Sequence, residues 1–250
     1  MIKGDRIINP QTSTLIYNGR DLSEFGVYCS GAKTFGSAER DYETVEVPGK
    51  SGDLLFDKGR FKNVTVTYEC FVLDNYEKNM RSLRTFLGKS FGYHKLEDSY
   101  HPDEYRMAMY AGGLDPKTHG LEAGTFDLEF VCKPQRFLRT GDVIKIFTED
   151  GIVYNETGME TKPLLRIYGV GTVTIGSSIF VTKATKNANQ QPEYIDLDCD
   201  LKDAYYGATN CNSLIELKTG DFPILTEGVN GVGLGEGITK LEITPRWWVL

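Results

Sequence analysis

A chain of 250 residues with 40% hydrophobic and 25% charged residues is long enough for one large core or two small ones, and its composition excludes wholesale disorder. Its formal net charge of −7 has the wrong sign for gripping duplex nucleic acid, although a wall that nucleic acid slides past remains compatible with it. No run approaches the ~18 apolar residues that span a bilayer, so no membrane insertion is expected, and MIKGDRIINPQTSTLIYNG lacks the continuous apolar core of a secretory signal.

Residues 47–54, VPGKSGDL, contain the tail of a phosphate-binding loop signature. That signature needs a glycine five positions before Gly49, where Thr44 stands, and a following helix. The stretch is instead expected to be a Pro-Gly turn between strands. In FKNVTVTYECFVL, Val64, Val66, Tyr68, Cys70 and Val72 alternate with Thr65, Thr67, Glu69 and Phe71, the period of a strand. DNYEKNMRSLRTFLG then switches to helical spacing, with Tyr76, Met80, Leu83 and Leu87 on one stripe. Asp74 is expected to cap this helix with Glu77 as its capping-box partner, and Gly88 suits the position after its end. A second Gly-Lys-Ser, at Gly88-Lys89-Ser90, has Leu83 where a glycine is needed. It also sits at a helix C-terminus, where the dipole repels phosphate.

EYRMAMYA reads as a strand with Tyr105, Met107 and Met109 inward. Residues 111–124, AGGLDPKTHGLEAG, read as a long hairpin loop. In GTFDLEFVCKP, Phe126, Leu128, Phe130 and Cys132 are expected inside, and Thr125, Asp127 and Glu129 outside. From about Val143 no amphipathic helix is visible. Short runs (VIKIF, LLRIYG, SSIFVT, EYIDLDC, SLIELK, FPIL, ITKLEIT, RWWVL) follow one another at the spacing of a β-sandwich. The fold class is therefore mainly β: an α+β antiparallel domain with one helix at 1–140, then an all-β domain at 141–250.

Asp196, Asp198 and Asp200 have the spacing that opens a calcium loop. Leu201 and Gly207 then occupy the places that need Gly and Glu. The stretch reads as a strand with an acidic outer face, on which cation binding is left open. GVGLGEG (231–237) misses a dinucleotide fingerprint at Glu236 and Ile238, and reads as a flexible turn loop. Trp247 and Trp248 point to opposite faces of a strand, one to the core and one to the surface. Cys29, Cys70, Cys132, Cys199 and Cys211 show no CxxC spacing and are expected as reduced, buried thiols of a protein made in a cytoplasm. His94, His101 and His119 lack metal-ligand spacing. There is no nucleophile elbow and no catalytic constellation, so no catalytic, cofactor or metal residues are assigned.

Taken in order, YNGRDLSEFGVYCSG, VEVPGKSGDLLFDKGRFKNVTVTYECF, DNYEKNMRSLRTFL, GYHKLEDSYHPDEYRMAMYAG, GTFDLEFVCKPQRFL and the closing LEITPRWWVL resemble the siphophage distal tail proteins. The resemblance rests on the order and spacing of many features along nearly the whole chain. It implies a ring-forming N-terminal domain and a galectin-like β-sandwich C-terminal domain. It further implies a homo-hexameric ring, doubled back to back in isolation, that encloses the DNA channel of the virion tail tip. The implied partners are the tail tube protein, the tail-associated hub protein and, in some phages, a receptor-binding protein. In that family a segment like PGKSGDL turns into a long alternating strand. Two other readings remain. One is a carbohydrate-binding module using Trp247 or Trp248, and the other is a tail-associated hydrolase, for which the residues offer no marker.

Overall fold

The computed structural model describes residues 14–30, 36–119, 123–185 and 191–250. Residues 1–13, most of the segment tested for a secretory signal, lie outside the described residues. The chain is mainly β with one α-helix among those described, as expected. It divides into two compact units, Met1–Arg136 with Leu250, and Phe137–Val249. No described helix is long and apolar enough to cross a membrane.

The first unit opens with β1 (Leu15–Tyr17), β2 (Arg20–Asp21) and β3 (Val27–Cys29). Next come β4 (Arg40–Val45), β5 (Leu54–Phe61) and β6 (Val64–Val72). The helix α1 (Tyr76–Lys89) precedes β7 (His94–Asp98), β8 (Glu104–Tyr110), β9 (Lys117–His119) and β10 (Ala123–Leu138). One sheet runs β2-β1-β7-β8-β10-β6-β3 with β9 also on β10, while β4 and β5 pair only with each other.

The core follows the period-two pattern. Val66, Tyr68, Cys70 and Val72 of β6 lie opposite Phe130, Leu128, Phe126 and Gly124 of β10, and all are buried. Met80, Leu83 and Leu87 of α1 join the same cluster, each worth ~1.5–3 kcal/mol of burial. The helix start differs from expectation. Asn75, not Asp74, is its cap, in a left-handed conformation (φ 49°, ψ 37°) that its short polar side chain tolerates. The Asp74 carbonyl accepts a bond from Asn79 Nδ2 at 2.9 Å. Gly88 falls inside α1, and Ser90 ends the helix in an extended conformation.

Two further expectations give way to the structure. In β8 the buried residue is Ala108, not Tyr105, Met107 or Met109. The pairing with β7 sets this phase: buried Leu96 lies opposite Arg106, and His94 opposite Ala108, so the even positions face inward. Tyr105 instead lies under the Lys95 ammonium, 4.0 Å from its ring centre. The stretch 111–124 is not one loop either, because β9 within it pairs with Ala123–Thr125 of β10.

The second unit holds β11 (Lys145–Phe147), β12 (Gly151–Asn155), β13 (Leu164–Gly169) and β14 (Gly171–Ile175). After these come β15 (Ser178–Thr182), β16 (Ile195–Asp198), β17 (Asp203–Tyr206) and β18 (Thr209–Asn210). The last are β19 (Ile215–Leu217), β20 (Gly228–Leu234), β21 (Ile238–Thr244) and β22 (Trp248–Val249). Two sheets form, ordered β11-β21-β13-β16-β17-β18 and β12-β20-β14-β15-β19. Leu165, Ile167, Ile195, Leu197, Leu241 and Ile243 of the first sheet share one core with Val153, Val173, Ile175, Phe180 and Val232 of the second. This is a β-sandwich.

The glycine-rich 231–237 is not a loop throughout: Gly231–Leu234 belongs to strand β20, and only the last three residues turn. Gly237 (φ 88°) is needed there, since a Cβ would lie 2.1 Å from the Val170 carbonyl oxygen. FPIL forms no strand and contributes only the isolated bridge of Leu225 to Thr161.

Candidate functional site

The β4–β5 hairpin is built around VPGKSGDL. Lys50 N donates to Val47 O at 3.1 Å, closing a turn with Pro48 and Gly49 in its middle. Gly49 has φ 81°, the conformation that the third residue of a type II turn requires. No helix follows the turn, so nothing aligns amides toward a phosphate. The turn leads into β5, and the long alternating strand β6 starts only after Lys62 and Asn63.

Cross-strand register assigns the hairpin residues to faces. Val45 lies opposite Leu54 and Glu43 opposite Phe56 on one face; Thr44 lies opposite Leu55 and Tyr42 opposite Asp57 on the other. Both faces are exposed. Leu55 is 70% exposed, Phe56 56% and Tyr42 55%. Below this apolar half the ladder is interrupted between Asp41 and Tyr42, and the side chains become charged. There Arg40 grips Asp57, with Nε at 2.9 Å, and Arg60 reaches Asp41 at 2.7 Å. Lys62 meets Glu39 at 3.3 Å. The Arg60 hydrogen bond holds the Asp41 carboxyl below the usual carboxylate range, and the Arg40 bond does the same for Asp57. A two-stranded ribbon is marginal alone in water. This one has an ionic root and an apolar end that the described residues leave open on both faces.

The acidic triplet behaves in the opposite way. Asp196 and Asp198 alternate with the core residues Ile195 and Leu197, as expected, but they are buried, at 5% and 3% exposure, so their face is not an open acidic surface. Each carboxylate is taken by one guanidinium. Arg166 donates to both oxygens of Asp196 at 2.7 and 2.9 Å, and Arg246 to both of Asp198 at 2.8 and 2.7 Å. Asp198 also accepts from the amides of Asp200 and Leu201. Burial pushes the Asp198 carboxyl up, but the Arg246 and amide hydrogen bonds outweigh it and the net shift is downward. Arg246 holds its position with φ 58°, in the left-handed region. Asp200 alone is exposed, 3.3 Å from Lys162 Nζ. Among the described residues no group of three or more His, Cys, Asp or Glu is placed to hold a metal ion.

The remaining candidates are dispersed. Trp247 is core and Trp248 half-buried, its Nε1 donating to Glu160 O at 3.0 Å. All five cysteines are buried free thiols. His94 packs edge-on to Tyr17 and His101 pairs with Asp98 at 3.1 Å. The backbone of His119 lies in β9. Sequence reasoning does not pick out the exposed apolar hairpin, although the adjacent Leu54, Leu55 and Phe56 beside a Pro-Gly turn are its signal.

No protein-family model matches this chain, and no curated protein matches its sequence. Structure does find a counterpart. The SPP1 Dit protein (gp 19.1), described as a paradigm of the hub adsorption apparatus in phages infecting Gram-positive bacteria, matches with a TM-score of 0.66. The match covers 92% of this chain and 97% of that one. The chain has the Dit fold. Sequence identity is only 12%, so what the two share is the path of the backbone. The resemblance carried by residue order therefore holds at the level of architecture, and the Dit fold frames the exposed hairpin and the two cores described above.

Proposed function

We propose that the chain is a structural component of a bacteriophage tail tip, a distal tail subunit without catalytic activity. It assembles as a homo-hexameric ring that encloses the DNA channel, and isolated rings pair back to back. The ring joins the tail tube protein to the tail-associated hub protein and the receptor-binding apparatus. The unit at 1–140 forms the ring and the galectin-like sandwich at 141–250 projects from it. The protein is made in the bacterial host cytoplasm and resides in the virion, with no membrane insertion and no specific grip on the DNA that passes.

The observation that carries this reading is the Dit fold over nearly the full length of both chains. The hairpin supports it. A closed ring needs a patch and a different complementary patch on every subunit, and an element exposed on both faces supplies the first. The net charge of −7 suits a conduit past which DNA slides. Light scattering and negative-stain imaging of the purified chain test the proposal. Six-fold rings with a central hole are expected; a strict monomer at high concentration that binds glycans overturns it in favour of a carbohydrate-binding module.

That alternative has one feature to build on, a row of Tyr168, Tyr194 and Tyr206 with ring centres 5.7 and 4.9 Å apart. Two of those rings are already covered by cations, Arg166 at 4.1 Å from Tyr194 and Lys240 at 3.8 Å from Tyr168. A sugar stacking there has to displace them, so the ring subunit is preferred.

A further inference from the structure

Two of the five cysteines are unlike the others. Cys29 in β3 and Cys70 in β6 are directly opposite in the ladder. The neighbouring residues Ser30 and Glu69 are joined by Ser30 N donating to Glu69 O at 2.8 Å. In an antiparallel ladder this makes Cys29 and Cys70 a pair without mutual backbone bonds, the type with Cα atoms only about 4.5 Å apart. That separation falls within the range a disulfide spans, about 4.4–6.8 Å. The two sulfurs already touch, Sγ to Sγ 3.3 Å.

Position adds two further observations. β3 is a three-residue strand at the edge of its sheet, so it can part from β6 without opening the rest. Cys70 also belongs to the lining of a cleft of about 320 Å³, together with Ser30, Glu69, Lys117 and Asp127. Cys132 and Cys211 hydrogen-bond to the carbonyls of Phe130 and Thr209, and burial pushes the Cys199 thiol up.

We propose that Cys29 and Cys70 form a modification site that closes into a cross-strand disulfide when the protein meets a low-molecular-weight disulfide such as oxidised glutathione. One cysteine, as thiolate, attacks the glutathione disulfide, forming a mixed disulfide and releasing one glutathione thiol. The other attacks the protein sulfur of that mixed disulfide and releases the second. Two protein thiols are oxidised, the glutathione disulfide is reduced, and both cysteine protons end on the departing thiols. Contact with the Cys29 thiol and burial push Cys70 upward, so closure is slow and waits on parting of the edge strand. The covalent loop contains the entire β4–β5 hairpin. The biological moment of closure, departure from a reducing cytoplasm, rests on the tail-tip reading; the chemistry does not.

The test uses the full chain incubated with oxidised glutathione, then alkylated, digested without reductant and analysed by mass spectrometry. A peptide linking Cys29 to Cys70, released by dithiothreitol, is expected. The oxidised protein is expected to melt roughly 10 °C higher than the reduced one, and Cys29→Ser to abolish the increase. Recovery of both residues as alkylated free thiols, of glutathione adducts without the linked peptide, or of links to other cysteines overturns the proposal. The linked peptide is sought in the wild-type chain, so the test stays decisive even where the serine variant folds poorly. Ring formation is measured separately, so either proposal can fail alone.

Discussion

The β4–β5 hairpin and strand β16 invert one another. The hairpin carries Tyr42, Val45, Leu54, Leu55 and Phe56 into solvent, whereas β16 carries Asp196 and Asp198 into the protein. Both depart from the usual sorting of apolar in and charged out. The difference lies in what each has for a partner. β16 lies between β13 and β17, and its acids meet Arg166 and Arg246 in two-point contacts that engage both oxygens of each. The hairpin is paired only with itself, and its apolar surface is left uncovered by the described residues. Burial is decided by who is available to cover a residue, and among the described residues the hairpin has no such cover.

The contrast breaks most sharply at Arg246. Arg246→Ala leaves the buried Asp198 with no cation and only the amides of Asp200 and Leu201, and is expected to cost about 3 kcal/mol in urea denaturation. The apolar double replacement Arg246→Met with Asp198→Leu should recover most of that. Recovery failing altogether would mean that the pair does more than neutralise charge. At the hairpin the effect should move from folding to assembly. Phe56→Asp is expected to weaken self-association by about 2 kcal/mol in light-scattering titrations, with folding stability changed by less than about 0.5 kcal/mol.

Acid sharpens the same comparison. The Asp198 carboxyl titrates lower in the folded chain than in the unfolded one, so its contribution is complete above about pH 4. It is lost as pH falls through the lower folded value. Melting temperature followed downward from pH 5 should drop less steeply in the apolar double variant than in the wild type. The smallest effect is expected from Gly49→Ala. Its φ of 81° costs an L-residue about 1 kcal/mol, and the hairpin should open more often without loosening either core. Faster proteolysis at Lys50 with an unchanged urea midpoint is the expected pair of results.

The residues differ in how much of this they disclose. β6 and β10 are legible because one face of each is packed and the other wet, so alternation is clean from Val64 to Val72 and from Gly124 to Cys132. β8 reads in the wrong phase because both of its faces are partly covered, and a small Ala108 takes the crowded side while two methionines take the other. β12, β14 and β20 begin with glycine, and β14 and β20 carry few large apolar residues, which hides them among turns. Asp196 and Asp198 read as surface acids for a different reason. Their guanidinium partners stand 30 and 48 residues away in sequence, and no local pattern announces such a pairing. The exposed hairpin is half visible: the Pro-Gly turn marks its tip, but exposure on both faces is a property of the folded chain.

Because the β4–β5 hairpin belongs to neither core, in the ring proposed above the residues that choose a neighbour are separate from those that make the chain fold. Its tip is therefore a cassette. The segment between Tyr42 and Phe56 can be rewritten, lengthened or exchanged with that of another subunit while the scaffold stays put, and interface and partner can diverge together. For an engineer it is the place to retune who assembles with whom.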